Sequence, residues 1–262
     1  MLNMPTIQEF IDNVLVITVP ILLSTFAFPL YAVLKISSRA SNLWFATMFP
    51  YVTSYFGRHF KDIHSTLFAN LDREVSGDAG RRQSRQLKIC ELGVGLGKNF
   101  QFYPNNALVT CVDINPSFVK HIEKIKTEHK NLVFEKVVIA SAEDVKELAD
   151  NEFDLVIATH LLCSTGDPDK VLKEVRRILR PDGKYYVLEH HGDRQSMTIR
   201  LLQRYLEPLW RVFAGNCGLS QDTLSRLEHN GFDVSSIKYL NIPHMPITLR
   251  PHIMGAATIK QR

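Results

Sequence analysis

The chain opens on a long apolar run and then settles into short apolar segments that alternate with amphipathic ones. Val14 to Leu34 carries no charged residue, and a stretch of roughly 20 such residues is enough to cross a bilayer core. Beyond residue 86 the period changes. Lys88–Leu92, Leu108–Asp113, Leu132–Val138, Asp154–Ala158 and Lys184–His190 are short apolar runs that predict strands. Between them, Phe118, Ile122 and Ile125 share one face of a predicted helix over Ser117–His129. Val171, Leu172, Val175 and Ile178 do the same over Asp169–Leu179, and the turn Arg180-Pro181-Asp182-Gly183 stops that helix. Helices are predicted again at Met197–Phe213 and Ser220–Asn230, and strands at Asp233–Leu240 and His252–Lys260. Strands alternating with helices imply an α/β fold, a doubly wound and mostly parallel seven-stranded sheet covered on both faces. Ligands of such a sheet bind beyond the C-terminal strand ends, where the strand order reverses.

The first third of the chain follows a different rule. Pro20 and Pro29 interrupt the apolar run, Asp12 precedes it, and Lys35 and Arg39 follow it. Basic residues on its C-terminal side place the remainder of the chain in the cytosol. A cleaved signal peptide needs a basic start, whereas Glu9 and Asp12 are the charges of the first twelve residues. Residues 1–40 therefore read as a hydrophobic membrane anchor with a helical, membrane-associating character, the alternative being a buried helix of the main domain. Residues 41–86 read as an aromatic interfacial segment and a polar linker. Trp44, Phe45, Phe49, Tyr51, Tyr55, Phe56 and Phe60 suit a headgroup boundary or a cap over the core, and Asp72–Gln86 is the linker. Residues 87–262 form the α/β domain.

Composition narrows the chemistry. The 262 residues are 45% hydrophobic and 22% charged, with a net charge of +4, an ordinary globular balance with no basic domain for nucleic acid. Cys90, Cys111, Cys163 and Cys217 form no CxxC pair, and no Cys/His spacing matches a zinc motif. They read as reduced, packed thiols, and no metal is expected.

The informative stretch is Ile89-Cys90-Glu91-Leu92-Gly93-Val94-Gly95-Leu96-Gly97, a strand entering a glycine-rich turn ahead of a predicted helix. A dinucleotide fingerprint requires glycine at position 98, where Lys98 stands, and no phosphate-loop Gly-Lys-Ser/Thr follows. The pattern resembles the first motif of class I methyltransferases. Asp113 ends the next strand about 20 residues on, where an acid accepts bonds from ribose hydroxyls. Ala142-Glu143-Asp144, Phe153-Asp154-Leu155-Val156 and Arg180-Pro181-Asp182-Gly183-Lys184 follow in the order of that superfamily. The resemblance implies S-adenosyl-L-methionine as cofactor, held by Glu91, Gly93, Gly95, Gly97, Asp113, Ile114, Ala142, Glu143, Asp144 and His160.

A closer resemblance rests on Gly97-Lys98-Asn99-Phe100-Gln101-Phe102-Tyr103-Pro104, Leu162-Cys163-Ser164, Glu189-His190 and Arg250-Pro251-His252-Ile253. These segments resemble the methyltransferase-like protein 7 group, membrane-associated thiol S-methyltransferases of endoplasmic reticulum and lipid droplets. Val94 departs from the cysteine common there. The resemblance implies methyl transfer to small lipophilic alkyl thiols at a membrane surface, with the catalytic domain facing the cytosol. A lipid or quinone methyltransferase, or a non-catalytic membrane- or lipid-droplet-associated protein, is the alternative. A free thiol has a pKa of about 8.5, so a neutral-pH enzyme gains from a base or a positive field. His190 is the candidate base, with Glu189 orienting it or the substrate; Thr159 and His160 follow the fourth strand, and His191 stands with Glu189 and His190 at the end of the fifth. Cys163 is a candidate lining residue, and Trp210 and Phe213 are candidates for the acceptor pocket.

Overall fold

A computed structural model describes residues 12, 14, 16, 18, 28–243 and 245–260. The chain runs through α1 (Phe28–Ile36), α2 (Ser38–Phe68), α3 (Ala79–Ser84), β1 (Lys88–Leu92), β2 (Leu108–Asp113), α4 (Pro116–Ile125) and β3 (Val133–Ile139). It continues through β4 (Phe153–Thr159), α5 (Pro168–Ile178), β5 (Leu179–His190), α6 (Met197–Phe213), α7 (Thr223–His229), β6 (Phe232–Asp233), β7 (Lys238–Asn241) and β8 (Pro251–Ile259).

Side-chain alternation along the strands feeds two cores. Val156, Ala158, Tyr185 and Val187 pack with the apolar stripe of α5 on one face. Leu155, Ile157, Tyr186 and Leu188 pack with Ile122 of α4 and Leu67 and Phe68 of α2 on the other. Neighbouring residues of a strand point to opposite faces, so both sides of β4 and β5 must be apolar, as in a covered parallel sheet. The order is β3-β2-β1-β4-β5-β8-β6, with β7 also on β8. β1 to β5 are parallel and β8 runs antiparallel to β5. The order reverses between β1 and β4, which opens the crevice there.

The sheet of the described residues has eight strands rather than seven. Asp233–Leu240 is not one strand: Asp233 Oδ1 accepts from the Ser235 amide at 2.9 Å, and Ile237 N–H returns to the Val234 carbonyl. That side-chain turn divides β6 from β7. The predicted turn at residues 180–183 lies inside β5 instead of before it. Phe153 pairs with Leu179 and Leu155 with Lys184, so the extra residues bulge from the ladder.

Most of the predicted membrane anchor lies outside the described residues; its last part is α1. Among the described residues no helix is long and apolar enough to cross a membrane. The segment expected to be interfacial is the 31-residue α2. The stretch read as a linker is docked. Leu71 and Ser76 are buried, Ser76 Oγ donates to Asp154 Oδ1 at 2.7 Å, and Arg81 Nε reaches Asp154 Oδ2 at 3.3 Å.

Candidate active site

β1 ends in the glycine corner. The Gly93 and Val94 amides both donate to the Val112 carbonyl, at 2.8 and 3.2 Å, which ties the turn to the neighbouring strand. Gly95 has φ +51°, and its N–H donates to Asp113 Oδ2 at 2.9 Å. A side chain there would be strained in the left-handed region and would stand in the cleft opposite Phe49, 3.5 Å from its ring. The predicted helix does not follow. A 3-10 turn at Phe100–Phe102 takes its place, because Pro104 lies less than two helical turns beyond Gly97.

Glu91 holds the corner from beneath. Its Oε1 accepts from Asn99 Nδ2 at 2.8 Å and its Oε2 from the Tyr103 hydroxyl at 2.6 Å. Burial pushes its carboxyl up to about 7, against the pull of those two donors. Both oxygens are engaged by protein, so Glu91 borders the cleft as a support for the loop. Asn99 Nδ2 also reaches Thr159 Oγ1 at 3.1 Å, while its buried Oδ1 has no partner among the described residues.

The second wall comes from β2 and β3. Asp113 Oδ1 accepts from the Asn115 amide at 2.8 Å, and burial raises its carboxyl pKa. Each carboxylate oxygen keeps a further lone pair, and the side chain lines the cleft. Ile114 beside it is exposed and also lines the cleft, as do Ala142 and Glu143. Glu143 Oε1 accepts from the amides of Gly166 and Asp167 at 2.8 and 3.1 Å. Asp144 is turned out to solvent and pairs with Lys146 at 2.8 Å; it is not brought to the cleft, a correction to the sequence expectation.

At the ends of β4 and β5 a sulfur and imidazole cluster meets the same space. His160, Cys163, His190 and Cys217 all line it. His190 Nδ1 lies 3.3 Å from Cys217 Sγ, which lies 3.5 Å from Cys163 Sγ. His160, at φ +55°, has its Nε2 3.1 Å from that of His252. Burial keeps His160 and His252 well below the usual imidazole range. His190 moves the other way: burial opposes its charge, but the Cys217 sulfur and the Glu189 carboxylate together outweigh that and raise its pKa.

Glu189 does not orient His190 by a hydrogen bond. Its oxygens accept the amides of Leu161 and Leu162, each at 2.7 Å, and of Cys163 at 3.3 Å. It anchors the turn after β4, and burial pushes its carboxyl up to about 7. His191 is likewise spent elsewhere, between the Gly192 carbonyl and Asp222. Cys217 and His252 were not singled out by the sequence reading; the Arg-Pro-His segment that contains His252 was the available signal.

These walls enclose one cavity of about 1720 Å³. A pocket for a single small ligand measures about 300–1,000 Å³, so the space admits a cofactor and an acceptor together. α2 forms its roof. Trp44 Nε1 donates to the Phe213 carbonyl at 3.1 Å, Asn115 Nδ2 donates to the Asn42 carbonyl at 2.9 Å, and Phe45 and Phe49 pack edge-on to Phe118. Trp210 and Phe213 line the space too. The glycine corner offers open backbone, an acid and an unpartnered amide oxygen, without the Lys-Ser/Thr pair of a phosphate loop. That donor set fits a hydroxyl- and ammonium-bearing nucleoside.

Sheet order, glycine corner and strand-end acid together define a class I S-adenosylmethionine-dependent methyltransferase. Residues 90–187 match the family described as methyltransferase domain. The thiol S-methyltransferase TMT1B of Rattus norvegicus is 37% identical over 80% of this chain and 86% of its own length. TMT1A of Homo sapiens is 34% identical over 82% and 85%. The chain belongs to this thiol S-methyltransferase family. Among solved structures, a Thermotoga maritima SAM-dependent methyltransferase, described as a possible histamine N-methyltransferase, superposes with a TM-score of 0.55. It is 16% identical and covers 84% of this chain and 100% of its own, a likeness of fold.

Proposed function

We propose that the chain S-methylates small lipophilic alkyl thiols at a membrane surface. The observation that carries this reading is the continuity of one large cavity. It runs from the glycine corner and Asp113 to an apolar chamber walled by Phe45, Phe60, Trp210, Phe213 and Leu249, with the Cys163–Cys217–His190 cluster on its wall. The names of the relatives support a thiol acceptor.

The cofactor supplies a methyl group on a cationic sulfonium. Asp113 would take the ribose hydroxyls, Ile114 and Ala142 the faces of the adenine, and Asn99 Oδ1 with the backbone of Gly93, Gly95 and Gly97 the amino-acid end. Glu143 and His160 would border the ligand. The roof helix covers part of the cavity, and water displaced from beneath it would strengthen the attraction between a thiolate and the sulfonium. Alignment of the two sulfurs across one chamber supplies a further large part of the rate. The thiol must lose its proton, and we assign that step to the cluster around His190, with Glu189 positioning Cys163 rather than His190.

A membrane location fits an apolar acceptor. No acid lies between Asp12 and Asp62, and Val33, Ile36, Leu43, Tyr51, Val52 and Tyr55 of the two roof helices are exposed. Exposed apolar side chains among basic ones suit an anionic lipid surface. On this reading the chain lies on the cytosolic face of endoplasmic reticulum or lipid droplets. Deleting residues 1–34 is expected to move it from carbonate-washed membranes to the supernatant.

The decisive assay transfers labelled methyl from the cofactor into an alkyl-thiol panel and a lipid extract, with Asp113→Ala alongside. Label is expected in the thiols and is lost with Asp113→Ala. Label confined to lipid or quinone would replace the acceptor, and no binding of S-adenosylhomocysteine would replace the enzyme reading altogether.

A further inference from the structure

We propose that Cys163, His190 and Cys217 form a binding site for a thiophilic divalent cation of the zinc class, with one coordination position open to the cavity. The three donor atoms come from segments far apart in sequence, yet all lie within 4.8 Å of one another. The two separations made by Cys217 Sγ suit a metal. Zinc–sulfur bonds of about 2.3 Å and zinc–nitrogen bonds of about 2.0–2.1 Å at tetrahedral angles put sulfurs about 3.8 Å apart and sulfur and nitrogen about 3.5 Å apart. The observed Sγ–Sγ distance is 3.5 Å and the Sγ–Nδ1 distance 3.3 Å.

The scaffold holds these positions. The Cys163 amide is pinned by Glu189 at 3.3 Å, its carbonyl accepts from the Gly218 amide at 2.6 Å, and the His190 carbonyl accepts from Thr223 Oγ1 at 3.1 Å. The imidazoles of His160, His190 and His252 also lie within 4.8 Å of one another and are the rival donor set. His252 uses Nδ1 on the Arg250 carbonyl and Nε2 on His160, at 3.1 Å each, so that pair is satisfied by hydrogen bonds. The Cys217 thiol reaches Cys163 Sγ and His190 Nδ1, and Cys163 Sγ lies 3.6 Å from Ser164 Oγ, but a thiol is a weak donor and acceptor, so a cation displaces weaker bonds here than at the imidazole pair.

Two Cys and one His with a fourth position free is a donor set of catalytic zinc. Two thiolates balance the dication, so the filled site is electrically neutral in an apolar wall. That the open position receives the acceptor thiol rests on the thiol reading above. A thiol that coordinates there loses its proton to solvent, so in the filled site the cluster around His190 acts through the cation and not as a base. The sulfur lone pair then forms the S–CH3 bond as the sulfonium C–S bond breaks, giving the neutral thioether and S-adenosylhomocysteine.

The test uses the full chain, kept reduced with a phosphine, and Co2+ as the probe. Wild type is expected to develop a sulfur-to-cobalt charge-transfer band and tetrahedral ligand-field bands at equimolar metal, and Zn2+ is expected to displace them. Cys163→Ser and Cys217→Ser are expected to lose the charge-transfer intensity while still binding S-adenosylhomocysteine in calorimetry, which reports an intact fold. No band in wild type that binds S-adenosylhomocysteine, or a band that survives Cys217→Ser, overturns the site. An alkyl thiol added to the cobalt protein is expected to shift the band. Turnover of thiols without any shift overturns the coordination step and leaves the thiol reading standing, whereas a shift without turnover in the zinc protein removes the thiol reading and leaves the site.

Discussion

Replacing Glu91 by Gln removes a buried carboxyl whose pKa the fold raises from 4.5 to about 7. The side chain is 2% exposed, so solvent screens little of the effect. The folded state binds the proton more tightly than the unfolded state does. Glu91 therefore contributes its full stability below pH 4.5, and that contribution is lost as pH rises through about 7. At about 1.4 kcal/mol per tenfold change, the loss amounts to roughly 3 kcal/mol. Gln does not titrate. Its amide group can keep one acceptor for Asn99 and offer a donor to the Tyr103 oxygen, so the geometry survives. Urea unfolding of both proteins at pH 5 and pH 8 isolates the effect, because Asp113, Glu189 and the other shifted groups are common to the two chains. Glu91→Gln is expected to gain about 2–3 kcal/mol on wild type between those pH values. A difference that stays constant with pH would refute the argument that burial beneath the glycine corner raises this carboxyl's pKa.

Three further outcomes follow from contacts elsewhere. Asp113→Ala removes the carboxylate proposed to hold the ribose, along with the acceptor of the Gly95 and Asn115 amides; with one charge-assisted bond to the ligand worth about 1.5–3 kcal/mol, S-adenosylhomocysteine affinity is expected to fall about 10–100-fold in calorimetry, and an unchanged affinity would exclude Asp113 from the site. Asp154→Ala strands Arg81 and the Lys88 amide, which sit 3.3 and 2.9 Å from its Oδ2. It is expected to cost about 3–5 kcal/mol, read from the urea midpoint, and a loss under about 1 kcal/mol would show that the 71–86 segment is not clamped there. Gly57 sits inside α2 with nothing within 4 Å of a would-be Cβ. Gly57→Ala is expected to stabilise by about 0.5–1 kcal/mol, and destabilisation would mean that this face of the roof helix touches something.

The glycine corner was readable from sequence because its parts are contiguous: strand, turn and supporting Glu91 occupy one short stretch, and Asp113 follows at the end of the next strand. Residue type decides that geometry locally. The adenine-side loop was less readable. Glu143 and Asp144 are adjacent acids with equivalent chemistry, and only the packing of residues 166–167 selects Glu143 to face inward. The sulfur and imidazole cluster could not be read from spacing at all. His160 and His252 are 92 positions apart. They meet because parallel β4 and β5 end side by side while antiparallel β8 brings His252 opposite His190. Metal motifs written as short spacings describe loops, and a site assembled by sheet order leaves no such trace. The roof was ambiguous for a related reason: the aromatic residues of α2 suit a lipid boundary or a pocket wall equally well, and only the bond from Trp44 to Phe213 and the packing of Phe45 and Phe49 on Phe118 show which side chains turn inward.

Three buried acids at strand ends explain why the cleft keeps its shape. Glu91 at β1, Asp113 at β2 and Glu189 at β5 each accept two or more N–H or O–H donors from the loop beside them. A carboxylate is the one side chain that accepts several bonds without offering a donor of its own. It can therefore collect the amides that a tight turn leaves unpaired, and burial makes each such bond stronger. The same burial lifts all three pKa values, a cost the fold bears in three places around one cavity. Of the three, Asp113 alone stands beside an exposed apolar side chain, Ile114, on the open wall. Glu91 borders the cavity with one oxygen on Asn99 and the other on Tyr103, and Glu189 lies behind its wall with three amides on its two oxygens. Chemistry in this cavity thus falls to side chains whose reactive atoms are not consumed in holding the frame, and on the acceptor side those are Cys163, His190 and Cys217.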